Sequence, residues 1–145
     1  MPNLSYIAPG FIVTDVNTAV SFYTGKLGFE LRFIGPDDDP FFAIVGRDEI
    51  SIMLKAVTPD TKPVPNRTLH GWAPWDAYIS TEDPDTLFEE YRTKGVEFPR
   101  PLKDDGDGLR GFEVIDADGY ILFFGRPVKK PAVDPDGNRL AFLEV

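Results

Sequence analysis

The sequence repeats itself, and this repeat constrains the fold more than any other feature. At an offset of 68 residues, the segment that starts at Asp15 aligns with the segment that starts at Asp83. The aligned identities are Asp15/Asp83, Thr18/Thr86, Tyr23/Tyr91 and Lys26/Lys94, and Gly28 meets Gly95 after a one-residue gap. Self-similarity at a fixed period is typical of a duplicated structural unit. The chain is therefore predicted to contain two copies of one unit.

Each copy is predicted to fold as a strand, a helix and three further strands. In the first copy, Tyr6–Val13 is the first strand, and Asp15 or Asn17 caps a helix with apolar residues at helical spacing. Gly28 is the expected left-handed residue after that helix. The three strands that follow are expected at Phe29–Ile34, Phe41–Val45 and Ile50–Lys55.

The second copy repeats this order of elements. Asp83 followed by Pro84 is a strong helix start, and Gly95 is expected to end that helix. The strands of this copy are expected at Asp76–Ser80, Val96–Phe98, Gly111–Ile115 and Tyr120–Gly125. The predicted fold class is therefore α+β, with two tandem βαβββ modules.

The division of the chain follows from the repeat. Residues 1–145 are expected to form a single domain. Within it we expect a first module at 4–55, a connector at 56–72, a second module at 73–127 and a C-terminal extension at 128–145 that adds an edge strand.

Charge and composition limit the partners and the chemistry. The formal net charge of −9 disfavours binding to nucleic acids and to anionic membrane surfaces. The chain has no cysteine, which excludes thiolate nucleophiles, disulfides and thiolate metal sites. No apolar run is long enough to span a bilayer, and the first residues lack the pattern of a signal peptide. A cytoplasmic location is expected.

Three ordered segments carry a family resemblance. They are Val13–Asp15 with Ala19–Tyr23 and Leu27–Phe29, then Asp83 with Leu87, Tyr91 and Gly95-Val96, then Leu109–Val114 with Asp116–Tyr120. Together they resemble the vicinal-oxygen-chelate superfamily of glyoxalases, bleomycin-resistance proteins and extradiol dioxygenases. The resemblance implies two four-stranded sheets that curve around one cleft. It also implies a homodimer, often with modules paired across subunits.

The metal site of that superfamily is not matched here. Its enzymes usually hold a divalent ion with four side chains, on the first and last strands of each module. The corresponding positions are Ala8, Met53, Asp76 and Phe123. Alanine and phenylalanine cannot coordinate a metal, and methionine is a soft ligand. A one-residue slip offers no better set, so we predict no metal and no cofactor.

The predicted cleft offers seven candidate ligand-binding residues. Strand alternation and the neighbouring tryptophans select Asp76, Tyr78, Trp72, Trp75, Ser51, Met53 and Phe123. Asp76 is the strongest candidate, because an inward carboxylate requires a partner or a ligand. The tryptophans could stack on a flat ligand, and core or dimer packing is the alternative for them. His70, the only histidine, lies in the connector, where a surface or interface role is favoured.

Three functions stay open at this point. The first is binding of a small organic molecule in a metal-free cleft, for sequestration or sensing. The second is a lyase-like or dioxygenase-like enzyme, with Asp76 as general base or with metal ligands not identified by the alignment. The third is a structural partner subunit. The sequence does not decide whether the chain catalyses a reaction.

Overall fold

The computed structural model describes residues 3–128 and Asp136, which form two compact units. Within the described residues, the first unit comprises residues 3–77 and 115–121, and the second comprises residues 78–114, 122–128 and 136. The edge strand predicted at 128–145 lies outside the described residues, except for Val128 and Asp136. No helix of the described part is both long and apolar enough to cross a membrane.

The first unit contains the first module. Its elements are β1 (Gly10–Ile12), α1 (Val16–Gly25), β2 (Glu30–Gly35), β3 (Phe42–Arg47) and β4 (Ile50–Lys55). The strand order is β1-β4-β3-β2, with β1 parallel to β4 and the other neighbours antiparallel. A short 3-10 helix, Asn66–Thr68, lies in the connector that follows.

Local sequence signals set the ends of α1. The Asp15 carboxylate accepts a hydrogen bond from the Thr18 N–H at 2.8 Å, which caps the helix. Val16, Ala19 and Tyr23 form its buried stripe. Gly28 has a positive φ of 72°, as predicted. The helix covers one face of the sheet, which is lined by the buried residues Phe11, Val13, Ala43, Val45, Ile52 and Leu54.

The second sheet repeats this plan. Its elements are β5 (Ala77–Ser80), α2 (Pro84–Thr93), β6 (Arg100–Asp104), β7 (Leu109–Ile115) and β8 (Ile121–Pro127), in the order β5-β8-β7-β6. Asp83 caps α2 through the Thr86 N–H, and Gly95 has a φ of 73°. The core of this unit is a cluster of aromatic rings: Phe88, Tyr91, Phe98, Phe112 and Phe124. The predicted α+β class with two βαβββ modules is confirmed.

Two strand predictions were wrong in position. Val96–Phe98 is not a strand, and its Phe98 ring packs against Phe88 of α2, with 4.6 Å between centroids. The strand lies instead at Arg100–Asp104, where Pro101 is tolerated because β6 is an edge strand. Of the strand predicted at Tyr6–Val13, only Gly10–Ile12 forms strand β1, although Pro9 and Val13 each make one further bond to β4.

The cap of α1 supplies a stability prediction. Asp15→Ala removes the acceptor of the Thr18 N–H and is expected to lower the free energy of unfolding by about 1 kcal/mol. Asp15→Asn keeps an acceptor oxygen and should lose less. Urea denaturation measures both, with Asn17→Ala as the control inside the first turn. A loss for Asn17→Ala equal to that for Asp15→Ala would contradict the assignment of the cap.

Candidate functional site

A cavity of about 350 Å³ lies beside β1 in the first unit. Its walls are Pro9, Gly10, Phe11, Ile12, Lys62, Val64, Asn66, Asp76 and Tyr120. Strand β1 and the connector thus both contribute to the wall. The volume is near the lower end of the range of about 300–1,000 Å³ that is usual for small-molecule pockets.

Asp76 holds two parts of this wall together. One carboxylate oxygen accepts the Asn66 N–H, and the other accepts the Ile121 N–H, both at 2.9 Å. These bonds explain how a half-buried carboxylate is tolerated beside apolar residues. A carboxylate has about four acceptor sites, so Asp76 keeps the capacity to accept a bond from a ligand. The Asn66 side chain is fixed as well, because its amide nitrogen donates to the Trp75 carbonyl at 2.9 Å.

An aromatic pair forms the apolar part of the wall. The rings of Phe11 and Tyr120 are stacked, with centroids 4.3 Å apart and planes at 13°. The Tyr120 hydroxyl donates to the Ile12 carbonyl at 2.5 Å. Burial raises the pKa of Tyr120 above its ordinary value, so the ring stays neutral at physiological pH. Phe11 and Tyr120 are only 5% and 6% exposed, so the pair contributes an uncharged and mostly covered part of the wall.

Asp116 positions the turn that carries Tyr120. Its carboxylate accepts the N–H groups of Asp118 and Tyr120 at 2.9 Å and the Tyr23 hydroxyl at 2.6 Å. Burial raises the pKa of Asp116 to about 6, because desolvation of the carboxylate outweighs these hydrogen bonds. The same residue thereby links α1 to the cavity wall.

Ser51 and Met53 lie on the sheet face opposite α1. They alternate along β4 with the buried residues Ile52 and Leu54, so they point away from the helix. Arg32 lies across this face and donates to the Ser51 hydroxyl at 2.9 Å. Both candidates are partly exposed, and neither is among the residues that line the cavity.

Tyr78 and Phe123 belong to the second unit. Their rings are stacked with centroids 5.5 Å apart. Phe123 is fully buried over Gly111 and Gly125, where an added Cβ would lie 2.5 Å from its ring. Tyr78 is 38% exposed. Of the two rings, Tyr78 is the one that a ligand can reach.

The connector tryptophans differ in exposure. Trp72 is 88% exposed and lies near His70, with 6.4 Å between ring centroids. Trp75 is half-buried, and its carbonyl accepts the Asn66 amide. Neither tryptophan is among the lining residues of the cavity.

Eight of the nine residues of the cavity wall were not among the seven sequence-based candidates. They are Pro9, Gly10, Phe11, Ile12, Lys62, Val64, Asn66 and Tyr120. The first four and Tyr120 look like ordinary strand residues in the sequence pattern. Lys62, Val64 and Asn66 lie in the connector, where Asn66 is held by its bond to Asp76, a contact between residues ten positions apart. The prolines around this segment were the only local sequence signal for the connector part of the wall.

The residues present do not fit the metal site of the resembling enzymes. Among the described residues, no group of three or more His, Asp or Glu side chains could hold an ion. Of the four corresponding positions, Asp76 alone carries a carboxylate, and both of its oxygens accept main-chain N–H groups. Ala8 has no donor atom, and Phe123 is buried against Tyr78.

The comparisons with known proteins agree on one family. The profile of the Glyoxalase/Bleomycin resistance protein/Dioxygenase superfamily matches residues 4–142. No curated protein matches the chain.

Solved structures also resemble this chain. The bleomycin-binding protein from bleomycin-producing Streptomyces verticillus, complexed with copper(II)-bleomycin, is 27% identical with a TM-score of 0.62, over 86% of this chain and 97% of that one. TioX from Micromonospora sp. ML1 is 22% identical with a TM-score of 0.65, over 85% of this chain and 99% of TioX. A glyoxalase-related enzyme from Clostridium phytofermentans is 15% identical with a TM-score of 0.68, over 87% of this chain and 97% of the enzyme. At these identities, TioX and the Clostridium enzyme show similarity of fold alone.

The raised pKa of Asp116 predicts a pH dependence of stability. The carboxyl ordinarily titrates near 3.8 and in the folded protein near 6, so between these pH values the folded state binds more protons. The contribution of Asp116 to the free energy of unfolding is therefore fully present below pH 3.8 and is lost as pH rises through 6. The shift corresponds to about 3 kcal/mol.

Asp116→Asn should remove this pH dependence. The free energy of unfolding of the wild type, minus that of Asp116→Asn, should therefore fall by about 3 kcal/mol between pH 3.8 and pH 7. Urea denaturation across this range measures the difference, and Asp107→Asn in an exposed turn is the control. Parallel profiles for the wild type and Asp116→Asn would contradict the raised pKa.

Proposed function

Because the chain belongs to the Glyoxalase/Bleomycin resistance protein/Dioxygenase superfamily, we propose that it binds a small organic molecule in the cavity beside β1. The observation that carries the proposal is the composition of the cavity wall. The stacked pair Phe11 and Tyr120 offers an apolar surface, while Lys62 and Asp76 offer one cation and one carboxylate. Apolar walls with a few placed polar groups are typical of small-molecule sites.

The proposed role is to hold the ligand, for sequestration or sensing. Copper(II)-bleomycin is the ligand named for the structurally similar protein from Streptomyces verticillus, which supports an organic ligand of some size. The 350 Å³ cavity would hold one part of such a ligand. The open face of the first sheet, with Ser51 and Met53, would contact the rest.

We propose that binding requires no metal held by the protein. Of the four positions that carry metal ligands in related enzymes, Ala8 and Phe123 offer no donor atom, and Met53 offers a soft thioether. Asp76 lines the cavity and is the sequence-based candidate that this proposal retains as a direct contact. Tyr78 and the exposed Trp72 are retained as surfaces for stacking, whereas Phe123 and Trp75 would act through packing.

Thermal unfolding with added compounds tests the proposal. The probes are bleomycin, copper(II)-bleomycin and a panel of aromatic and cationic compounds at millimolar concentration. At least one should raise the Tm, because a ligand that binds only the folded state stabilises it by about 2.7 kcal/mol at 100 times its Kd. The rise in Tm should persist when the protein has first been dialysed against a chelator.

Two matched variants locate the binding. Val64→Trp places a large ring at the cavity wall, and Val57→Trp places the same ring elsewhere on the connector; both valines are more than half exposed. Val64→Trp should remove the rise in Tm, and Val57→Trp should retain it. If no probe raises the Tm of the wild type, or if the two variants behave alike, the proposal is wrong.

We also propose that the protein forms a homodimer through the segment before β1. Leu4 and Ile7 are each 91% exposed there, and Tyr6 is exposed as well. A run of exposed apolar side chains on one segment is a mark of a protein interface. A second copy of the chain is the partner that the family resemblance implies.

Sedimentation analysis tests the dimer. The wild type is expected to sediment as a dimer at micromolar concentration, and the double change Leu4→Ser with Ile7→Ser should shift it to a monomer. Val57→Ser, at an exposed valine outside this segment, is the control and should remain dimeric. A monomeric wild type would overturn the proposal.

A further inference from the structure

Strand β1 is the edge strand of the first sheet, and its hydrogen bonds alternate. The Val13 N–H donates to the Lys55 carbonyl, and the Met53 N–H donates to the Pro9 carbonyl, both at 2.9 Å. In a parallel pair, alternate residues of one strand bond to the neighbour. Pro9, Phe11 and Val13 therefore direct their main-chain groups to β4. Gly10 and Ile12 direct theirs to the opposite side.

Of the four main-chain groups of Gly10 and Ile12 that point away from β4, one is bonded and three are open. The Ile12 carbonyl accepts the Tyr120 hydroxyl. The remaining groups are the Gly10 N–H, the Gly10 carbonyl and the Ile12 N–H, and none of them bonds to the part of the chain that the structure describes. They form the donor and acceptor pattern that a neighbouring strand would meet.

The open groups belong to residues of the cavity wall. Gly10 and Ile12 both line the cavity, on the side of β1 away from β4. An added Cβ at Gly10 would meet no atom within 4 Å, so the space over the face of the strand is open for a ligand to approach. Glycine in a strand often marks such a close approach.

We propose that this edge binds the secondary amide groups of a short, extended, peptide-like ligand. The inference rests on the proposed function, since it specifies the ligand of the same cavity. An amide N–H would donate to the Gly10 carbonyl, and ligand carbonyls would accept the N–H groups of Gly10 and Ile12. Addition of an extended peptide to a sheet edge is a common mode of recognition in which main-chain bonds give affinity.

The surroundings of the edge limit the length of the ligand. Strand β1 spans only Gly10–Ile12, so the row of open groups begins at Gly10. The Tyr120 hydroxyl already occupies the Ile12 carbonyl and ends the row on the other side. Two to three ligand residues therefore match the open groups. The stacked Phe11 and Tyr120 rings give an apolar side chain a place to pack.

The test compares two ligands on the unmodified protein. The probe is a blocked tripeptide, N-acetyl-alanyl-phenylalanyl-alanine amide, and its partner is the same tripeptide with every backbone nitrogen methylated. Methylation removes the donors and keeps the side chains. Calorimetric titration should show binding of the first peptide and at least tenfold weaker binding of the second. Equal affinities, or no binding of the first peptide, would overturn the inference.

A protein variant tests the same bonds from the other side. Gly10→Pro removes the Gly10 N–H, which is not part of the β1–β4 ladder, so the sheet should keep its hydrogen bonds. It should bind the tripeptide at least tenfold more weakly, whereas Gly71→Pro, at an exposed connector glycine outside the cavity wall, should bind it like the wild type. Thermal unfolding without ligand checks the fold of both variants. If Gly10→Pro fails to fold, the comparison of the two peptides on the wild type still decides.

The outcomes separate this inference from the proposed function. Failure of the tripeptide while another organic compound still raises the Tm in a Val64-dependent way would overturn the peptide-like ligand alone. Failure of every compound would overturn both.

Discussion

The hydrogen bonds of Asp116 are the interaction on which the cavity depends. This carboxylate ties the Tyr23 hydroxyl of α1 to the main chain of the turn before β8. The turn places the Tyr120 ring on Phe11 and the Tyr120 hydroxyl on the edge of β1. A buried carboxylate with three bonds is costly to leave unsatisfied, so the turn has little freedom to move. The shape of the cavity wall therefore follows from one residue outside it.

Duplication explains what the sequence could predict. Capping aspartates and left-handed glycines act within a few residues of the chain, so Asp15, Asp83, Gly28 and Gly95 predicted both helices correctly. The repeat also predicted the βαβββ order of both modules. Strand ends were less predictable, because the pairing at Gly10–Ile12 and Arg100–Asp104 depends on distant partners.

The site was predicted less well than the fold, and the repeated tyrosine shows why. Tyr23 and Tyr91 occupy equivalent positions, and both are fully buried. Tyr23 bonds to Asp116, whereas Tyr91 packs edge-on against Phe112 and Phe124. Equivalent local patterns thus lead to different tertiary roles. Asp76 was selected as a carboxylate that requires a partner or a ligand, and its main-chain partners, Asn66 and Ile121, depend on how the connector folds.

The edge of β1 connects stability to binding. An exposed strand edge invites pairing with other chains, and proteins commonly limit it with short strands, prolines or covering groups. Here β1 has only three residues, Pro9 precedes it, and the Tyr120 hydroxyl covers the Ile12 carbonyl. These features leave one short set of main-chain groups, at Gly10 and Ile12, beside a cavity. An edge limited in this way is too short to template a sheet, yet it matches the amide groups of a small extended molecule.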